Sequence, residues 1–474
     1  MSRKLLLLML LALLTGTLNL ASRVEKVEAS GTIYIRANGI VEGTDKISNV
    51  NNVTYTFTDN INDSIIVERN NTVIDGANHT LQGAGSWAGI GLTGRSNVTI
   101  KSVVIKGFRY GIDIDSSSDI SVCGNNVTNN IKDGIILDGS SHNRIFGNNV
   151  TNNDEDGITL GYSSDYNDVF GNSIIGNDFD GIVVHYSSNY NSLFGSNVID
   201  NGEDGIDFYE SSHNNVYENI ITENWVNGID LDYSNNNSIF GNDITENNYY
   251  SISLKFSSEN RIYHNNFIND TMHLPDHYTN TWDDGYPSGG NYWSDYNGID
   301  VKSGSYQNET GSDGVGDTPY IIDANNTDHY PLMGMFQSYN VTYFTPPLAA
   351  HSCSVTVISN STVSNFVTLI WIEHPEVIMI EFNVTEEQGT TGFCRVSFPT
   401  AMMNGTYHVL VNGTEVPYTL LPCSNADHSH LYFTYTHSTE GVIIIPEFPS
   451  FLILPLFMIV ALLALIVHKR KHLV

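Results

Sequence analysis

The sequence predicts an all-β fold, in which a parallel β-helix is followed by a small β-sandwich and a C-terminal transmembrane segment. Three observations predict it. A phrase built around Asp-Gly-Ile returns every 22 to 24 residues, apolar and polar residues alternate within each copy, and an apolar run near the end is followed by basic residues. A steady period of this length indicates stacked repeats. Alternation indicates strands with one buried face.

The first 30 residues read as a secretory signal. Arg3 and Lys4 precede an apolar run over 5–14, and Ala29 and Ser30 are small enough for cleavage by a signal peptidase. An N-terminal anchor is the alternative, because a weaker apolar stretch continues to Leu20.

The charge of the chain excludes one class of partner. The net charge is -32, and only 20 residues are Lys or Arg. Nucleic-acid affinity comes largely from basic residues that displace counterions, so we expect no nucleic-acid partner.

Eight copies of the repeat define the predicted β-helix over 31–275. The residue that opens each first strand is, in order, Gly89, Gly111, Gly134, Gly157, Gly181, Gly205, Gly228 and Ser251. The next residue is isoleucine in all eight copies. Two further apolar columns follow in each copy, which makes three short strands per coil. Leucine-rich repeats need a helix or long turn that the pattern lacks, and β-propellers need a period near 40.

Columns of asparagine mark the predicted corners between strands. One column contains Asn143, Asn167, Asn191, Asn214, Asn237 and Asn260; a second contains Asn125, Asn148, Asn172, Asn219, Asn242 and Asn265, with Ser196 as its exception. Asparagine tolerates the left-handed backbone conformation that a sharp corner demands. Amides stacked about 4.8 Å apart can also hydrogen-bond along the column.

The coils resemble those of the NosD-type right-handed β-helix family, which is related in shape to the pectin lyase fold. The resemblance rests on SIIVERNNTVIDGANHTLQG at 64–83, NNSIFGNDITEN at 236–247 and SENRIYHNNFIND at 258–270. The segment from NYWSDYNGID to Gly334 is similar to the exit segment of archaeal surface members, and IIIPEFPSFLILPLF to their anchor signal with its PEF element. The resemblance therefore implies a right-handed parallel β-helix at a cell surface. It is specific for fold and location and implies no particular activity.

Outward-facing acids on the first strand are the candidate catalytic residues. Asp207 and Asp230 occupy the same position on neighbouring coils, about 5 Å apart, and Asp232 lies about 7 Å further along its strand. Paired carboxylates at such distances can serve as acid and base in glycoside hydrolysis. A solvated acidic face is the alternative, and we favour it because the whole chain is acidic.

A second acidic column sits at a corner and contains Asp133, Asp156, Asp180 and Asp204, with Asn227 completing it. It predicts either an Asp-Gly turn in each coil or a ladder that binds cations.

An aromatic column offers a candidate ligand-binding surface. It consists of Phe146, Phe170, Phe194, Tyr217, Phe240 and Tyr263. Outward rings would form a platform for sugar rings or a partner protein. The alternative, which we favour, is that the rings stack on one another under a loop or the C-terminal domain.

The Asp/Gly-rich exit segment over 276–337 is predicted to cap the β-helix. Asp295, Asp313 and Asp317 are candidate calcium ligands, because the last two have the close oxygen spacing of a calcium loop. The family name invokes copper, but the Cys, His and Met residues make no repeated ligand motif, so the pattern does not support copper.

The remainder of the chain predicts a β-sandwich over 350–440, then the PEF motif, a transmembrane helix and a basic cytoplasmic tail over 446–474. Sequons fit a glycosylated exterior chain, among them Asn97, Asn126, Asn149, Asn383 and Asn404. Four cysteines leave room for at most one disulfide in the C-terminal region.

Taken together, these features favour a secreted, surface-anchored and non-catalytic protein that binds carbohydrate or serves as a structural, adhesive envelope component. Its expected partners are surface glycans or envelope proteins, with the membrane reached through the C-terminal helix unless a sortase-like enzyme removes it. The rival hypothesis is a polysaccharide-cleaving hydrolase or lyase on the same fold.

Overall fold

The computed structural model describes residues 31–85, 87–269, 278–345, 349–371, 374–403, 405–437 and 440–447. The predicted signal over 1–30, and the predicted anchor and tail from 448 onward, lie outside the described residues. Every regular element among the described residues is a β-strand. No helix in these ranges is long and apolar enough to cross a membrane.

The chain forms a parallel β-helix of about ten turns and divides into two compact units. The first unit runs to Asn214 and includes Glu223–Tyr233, whereas the second contains Asn215–Thr222 and the chain from Ser234 onward.

Three sheets build the first unit, and each coil contributes one strand to each sheet. The first sheet contains Val41–Glu42, Thr32–Ile35, Ser64–Val67, Ala88–Thr93, Tyr110–Asp115, Ile135–Asp138, Ile158–Gly161, Ile182–His185, Ile206–Tyr209 and Ile229–Asp232. The second contains Ile47–Val50, Thr54–Phe57, Thr72–Asp75, Val98–Lys101, Ser121–Cys123, Arg144–Phe146, Asp168–Phe170 and Ser192–Phe194. The third contains Thr80–Gln82, Val104–Lys106, Asn126–Thr128, Asn149–Thr151, Ser173–Ile175 and Asn197–Ile199. Pairing is parallel except for Val41–Glu42 and Ile47–Val50, which pair antiparallel with their neighbours.

The second unit continues the coil strands and adds antiparallel sheets. Its coil strands are Asn215–Tyr217, Ile220–Thr222, Ser238–Phe240, Asp243–Thr245, Ile252–Lys255, Arg261–Tyr263, Asn266–Ile268 and Tyr292–Trp293. Two short hairpins follow, Lys302–Ser303 with Glu309–Thr310 and Tyr320–Ile321 with Thr327–Asp328. One five-stranded sheet has the order Met335–Thr345, Ala349–Ser359, Thr391–Pro399, His428–Thr436 and Tyr418–Leu420. The other has the order Thr362–Trp371, His374–Thr385, Glu440–Pro446, Tyr407–Val411 and Thr414–Val416.

These two five-stranded sheets share one apolar core, which includes Val355, Phe382, Phe398, Phe433 and Ile444. The arrangement confirms the predicted β-sandwich. Its strands extend from Met335 to Pro446 and so begin earlier than the predicted residue 350.

Equivalent residues of successive coils lie in register. Ile135 pairs with Ile112 on one side and with Ile158 on the other, and Ile158 pairs in turn with Ile182. All four side chains are completely buried. The predicted isoleucine column therefore lines the interior, as a parallel β-helix requires.

The recurring glycine before each isoleucine faces inward at a point of close approach. A Cβ at Gly134 would lie 2.5 Å from Val150 Cγ1 and 2.7 Å from the carbonyl oxygen of Gly157. Only a residue without a side chain fits this position without shifting its neighbours.

The asparagine columns are buried hydrogen-bonded ladders. Asn148 Oδ1 accepts bonds from both the backbone N and Nδ2 of Asn125, each at 3.0 Å, and Asn148 Nδ2 donates to Asn172 Oδ1 at 3.0 Å. The expected left-handed backbone, however, falls one residue earlier, at Gly147 with φ 63° and His142 with φ 60°. The asparagine itself is needed for its amide, because the corner's backbone groups are buried and require partners.

Candidate functional site

The outer face of the first sheet carries two columns of side chains, because alternate residues of each strand point away from the core. The first column reads Asp113, Ile136, Thr159, Val183, Asp207 and Asp230. The second column reads Asp115, Asp138, Gly161, His185, Tyr209 and Asp232.

Three carboxylates converge on this face. One ligand oxygen each from Asp204, Asp207 and Asp230 lies within 4.8 Å of the others. Asp207 and Asp230 are register partners on adjacent strands, whereas Asp204 reaches the group from the corner that precedes its strand. Asp204 and Asp230 are buried and Asp207 is half-buried. Two of the three predicted catalytic residues are thus brought together, with Asp204 as an unexpected third member.

Asp204 belongs to the corner column, whose side chains are held by the next coil. The backbone N of Asp204 donates to Asp180 Oδ1 at 2.7 Å, and the backbone N of Asn227 donates to Asp204 Oδ1 at 2.7 Å. The other carboxylate oxygen of Asp204 does not take part in this bond and can point toward the first strand of the next coil. Asp133 shows the same arrangement, because its Oδ2 accepts a hydrogen bond from Thr159 Oγ1 at 3.0 Å. A signal for this geometry existed in the sequence, since Asp204 and Asp207 flank a Gly-Ile pair in DGID.

The corner acids resist ionisation. Burial, followed by the charge of neighbouring carboxylates, raises the pKa of Asp156 to about 7. For Asp180, burial, followed by the charges of the nearby Asp207, Asp204 and Asp156, raises the pKa to about 9. We call Asp180, Asp204, Asp207 and Asp230 the acidic cluster. At neutral pH the Asp180 carboxyl of this cluster is protonated, so it can donate a hydrogen bond.

Asp232, the third predicted catalytic residue, occupies the second outward column. Its register partner there is Tyr209 rather than an acid, and it is not part of the converging carboxylate group.

A row of tyrosines borders the acidic cluster. The rings of Tyr162 and Tyr186 lie 5.1 Å apart, that of Tyr186 lies 5.7 Å from Tyr209, and Tyr209 lies 6.4 Å from Tyr233. Tyr162 is 60% exposed, Tyr186 41% and Tyr233 48%. We call these four residues the tyrosine row. It presents aromatic surface to solvent along the same face as the acidic cluster.

The predicted aromatic platform lies on the second sheet, and its half-buried rings stack on one another. Phe170 is parallel to Phe146 and to Phe194, with centroids 5.0 and 4.8 Å apart. In the second unit, Phe240 stacks in the same way on Tyr217 and Tyr263. Because each ring face covers the next, mainly ring edges face outward. This geometry matches the mutual stacking that we favoured, and ligand binding by these six residues stays a prediction.

The predicted calcium ligands each accept a hydrogen bond within the exit segment. The carboxylate of Asp295 accepts a bond from the Tyr320 hydroxyl at 3.1 Å, and Asp313 Oδ1 accepts from the backbone N of Val315 at 3.1 Å. Asp317 accepts from the backbone N of Lys302 at 3.0 Å. Calcium binding at these residues stays a prediction.

A family model described as "Periplasmic copper-binding protein (NosD)" matches residues 25–195 and 175–298, which is more than half of the chain. No curated protein matches the sequence significantly.

Several solved structures are similar to part of this chain at low sequence identity. The mannuronan C-5 epimerase AlgE4 A-module of Azotobacter vinelandii is 15% identical over 56% of this chain and 85% of its own, with a TM-score of 0.38. The periplasmic alginate epimerase AlgG is 16% identical over 54% and 82%, with a TM-score of 0.37. The pectate lyase Pel9A is 16% identical over 54% and 70%, with a TM-score of 0.34. We transfer no residue or activity from them.

Copper is a poor match for the side chains present. Copper favours thiolate, thioether and imidazole ligands, whereas the converging group found among the described His, Cys, Asp and Glu residues consists of carboxylates. Cys394 and Met402 are buried in the sandwich core, and His430 Nδ1 is bonded to Ser397 Oγ at 2.7 Å. The described residues therefore do not fit a copper site.

Proposed function

The chain belongs to the NosD family, described as periplasmic copper-binding proteins, and from this premise we propose that it is an exported β-helix protein that binds carbohydrate without cleaving it. The proposed binding surface is the outer face of the first sheet, where the acidic cluster and the tyrosine row lie side by side. The family description agrees with an exported protein. Anchoring by the C-terminal segment, unless a sortase-like enzyme removes it, and partnership with surface glycans or envelope proteins are part of the proposal.

The tyrosine row beside the acidic cluster is the observation that carries this proposal. Tyrosine rings pack against the apolar C–H faces of sugars while their hydroxyls bond to polar groups. Carboxylates and a protonated carboxyl accept from and donate to sugar hydroxyls. Sites with an aromatic wall and a few convergent polar groups are typical of small-molecule and saccharide recognition.

A glycan array probed with the purified chain, followed by calorimetric titration of the best ligand, tests this proposal. We expect Tyr186→Ala, and the double substitution Asp207→Asn with Asp230→Asn, to weaken binding at least about tenfold, equivalent to about 1.4 kcal/mol. Tyr166→Ala is the matched control. Tyr166 is also an exposed corner tyrosine with positive φ, at 56° against 52° for Tyr186, but it lies outside the tyrosine row.

Two results would refute the proposal: a chain that binds no glycan on the array, or Tyr186 and aspartate variants that bind as tightly as the Tyr166 control.

Asp180 favours a second candidate function, the cleavage of a polysaccharide. A carboxyl whose pKa burial raises to about 9 can act as a general acid, and a neighbouring carboxylate can act as the base or nucleophile. Release of reducing sugar from the bound polysaccharide, abolished by Asp207→Asn or Asp230→Asn, would assign this function. Binding without release supports the non-catalytic role.

A further inference from the structure

Gly161 interrupts the second outward column of the first sheet, between Asp138 and His185. Asp138 and Gly161 are register partners on adjacent strands, and His185 ends the next strand along the sheet. The missing side chain gives His185 room to lie across the glycine. A Cβ at Gly161 would be 2.3 Å from His185 Nε2 and 3.3 Å from Asp138 Oδ1. Both polar atoms therefore lie beside the position that a side chain of residue 161 would occupy.

Both atoms are closed to solvent, and neither has a hydrogen-bond partner among the described residues. From their distances to the same Cβ position, they are at most about 5.6 Å apart. Burying a polar atom without a partner costs about 1–3 kcal/mol, so two such atoms beside one another favour a third group that bonds to both. An atom about 2.8 Å from each satisfies this separation.

We propose that Asp138 Oδ1 and His185 Nε2 form a subsite for one hydroxyl group of the bound carbohydrate. The hydroxyl group donates a hydrogen bond to Asp138 Oδ1, and its oxygen accepts a hydrogen bond from the Nε2–H of a neutral His185. A hydroxyl is the sugar group that donates and accepts at once. This inference rests on the proposed function and extends it from a surface to a contact between named atoms.

The protonation of the pair suits this role. Burial lowers the pKa of His185, so its imidazole is neutral at pH 7 and carries one N–H. Burial, followed by the charge of Asp115, raises the pKa of Asp138. Either form of the Asp138 carboxyl keeps an oxygen that can accept a hydrogen bond, and the neutral imidazole has one N–H to donate, so the pair matches the two ends of a hydroxyl group.

The subsite adjoins the proposed binding surface. The ring of Tyr162, which belongs to the tyrosine row, stands edge-on to His185 with centroids 5.6 Å apart. The strand that ends at His185 also pairs Val183 with Asp207 of the acidic cluster. A sugar resting on Tyr162 would thus lie beside the pair.

Deoxy analogues of the glycan chosen by the array provide the test. We expect wild-type protein to lose at least about tenfold in affinity for the analogue that lacks one particular hydroxyl. His185→Gln and Asp138→Asn should bind the parent glycan about tenfold more weakly and no longer distinguish it from that analogue. Gly161→Ala places a methyl group where the imidazole lies, so we expect it to show the same loss of affinity and of discrimination. The test therefore does not depend on the folding of a single variant. The controls His142→Gln and Asp119→Asn alter exposed corners and should bind as wild type.

The outcomes separate the inference from the proposed function. If wild-type protein binds no glycan, both the proposed function and the subsite are refuted. If wild-type protein binds glycan but the three variants keep wild-type affinity and hydroxyl discrimination, only the subsite falls, and the space holds an ordered water. Binding that is abolished by EDTA and restored by Mn²⁺ in wild type, but not in His185→Gln, would replace the hydroxyl with a metal ion and overturn the subsite.

Discussion

The Asp180 carboxyl lies in surroundings that disfavour its charged form. Burial and three neighbouring carboxylates raise its pKa to about 9, while in an unfolded chain the pKa lies near its usual value of about 3.9. The protonated form is therefore the one that the fold favours. Its contribution to stability is complete below about pH 4 and is lost as the pH rises through about 9.

Replacing Asp180 with Asn should make the protein more stable at high pH. An amide oxygen can still accept the bond that the backbone N of Asp204 donates to Asp180 Oδ1. With EDTA present, we expect the free energy of unfolding of Asp180→Asn to equal that of wild type at pH 4 and to exceed it by at least about 1.4 kcal/mol, one pKa unit, at pH 9. Urea titrations at both pH values measure this.

Asp178→Asn is the matched control for this comparison. It removes a carboxylate from an exposed side chain two residues away and should show no such gain between pH 4 and pH 9. An equal gain in both variants would mean that net charge, rather than burial at Asp180, sets the pH dependence.

At the level of single elements, the corner ladders connect successive strands. Asn148 bonds to Asn125 and Asn172, and its Nδ2 also reaches the carbonyl oxygen of Val122 at 2.9 Å. Four buried polar groups therefore depend on one side chain. The ladder fixes the height of each corner, and through it the register of the strands on either side.

Asn148→Ala should destabilise the fold by at least about 3 kcal/mol, because the groups that it leaves behind are buried and each unsatisfied group costs about 1–3 kcal/mol. Asn149→Ala provides a neighbouring control, since Asn149 is exposed and makes one side-chain bond, at 3.2 Å, to Asn126. We expect that control to stay within about 0.5 kcal/mol of wild type. Chemical denaturation monitored by circular dichroism measures both, and similar losses for the two variants would contradict the ladder's role.

Strands and their register were predictable from the sequence, whereas the membership of the acidic cluster was predicted only for Asp207 and Asp230. The isoleucine column alone places Ile135 against Ile112 and Ile158, because period-two alternation allows one face to be buried. The position of Asp204 was not predictable in this way, because its contact with Asp207 and Asp230 depends on the direction in which a corner side chain points. The space beside Gly161 was not predictable for a related reason, because it depends on where the side chain of His185 on the next coil lies.

For the whole molecule, one coil is the unit of construction. Each coil buries its apolar face only against its neighbours, so stability comes from stacking rather than from any single coil. The corresponding strands Ile158–Gly161 and Ile182–His185 start 24 residues apart, and every residue between them has an equivalent in the next coil.

Removal of a complete coil should therefore be tolerated, while removal of half a coil should not. Deleting 158–181 joins Gly157 to Ile182 and preserves the order of strands and ladders. We expect a cooperative unfolding transition and a β-sheet circular dichroism spectrum for that variant. Deleting 158–169 puts strands of different sheets in contact and should give an unfolded or aggregated product. Comparable folding of the two deletions would contradict a coil-by-coil architecture.

The central claim is that carbohydrate binds on the outer face of the first sheet, and hydroxyl-radical footprinting of the full chain tests it most directly. Tyr162, Tyr186 and Tyr233 are exposed on that face, while Tyr166 and Tyr190 are comparably exposed at a different corner. With the glycan selected by the array, we predict that oxidation of the first three tyrosines falls severalfold while oxidation of the other two is unchanged. Protection of Tyr166 and Tyr190 instead, or of none of the five under saturating glycan, would contradict the account.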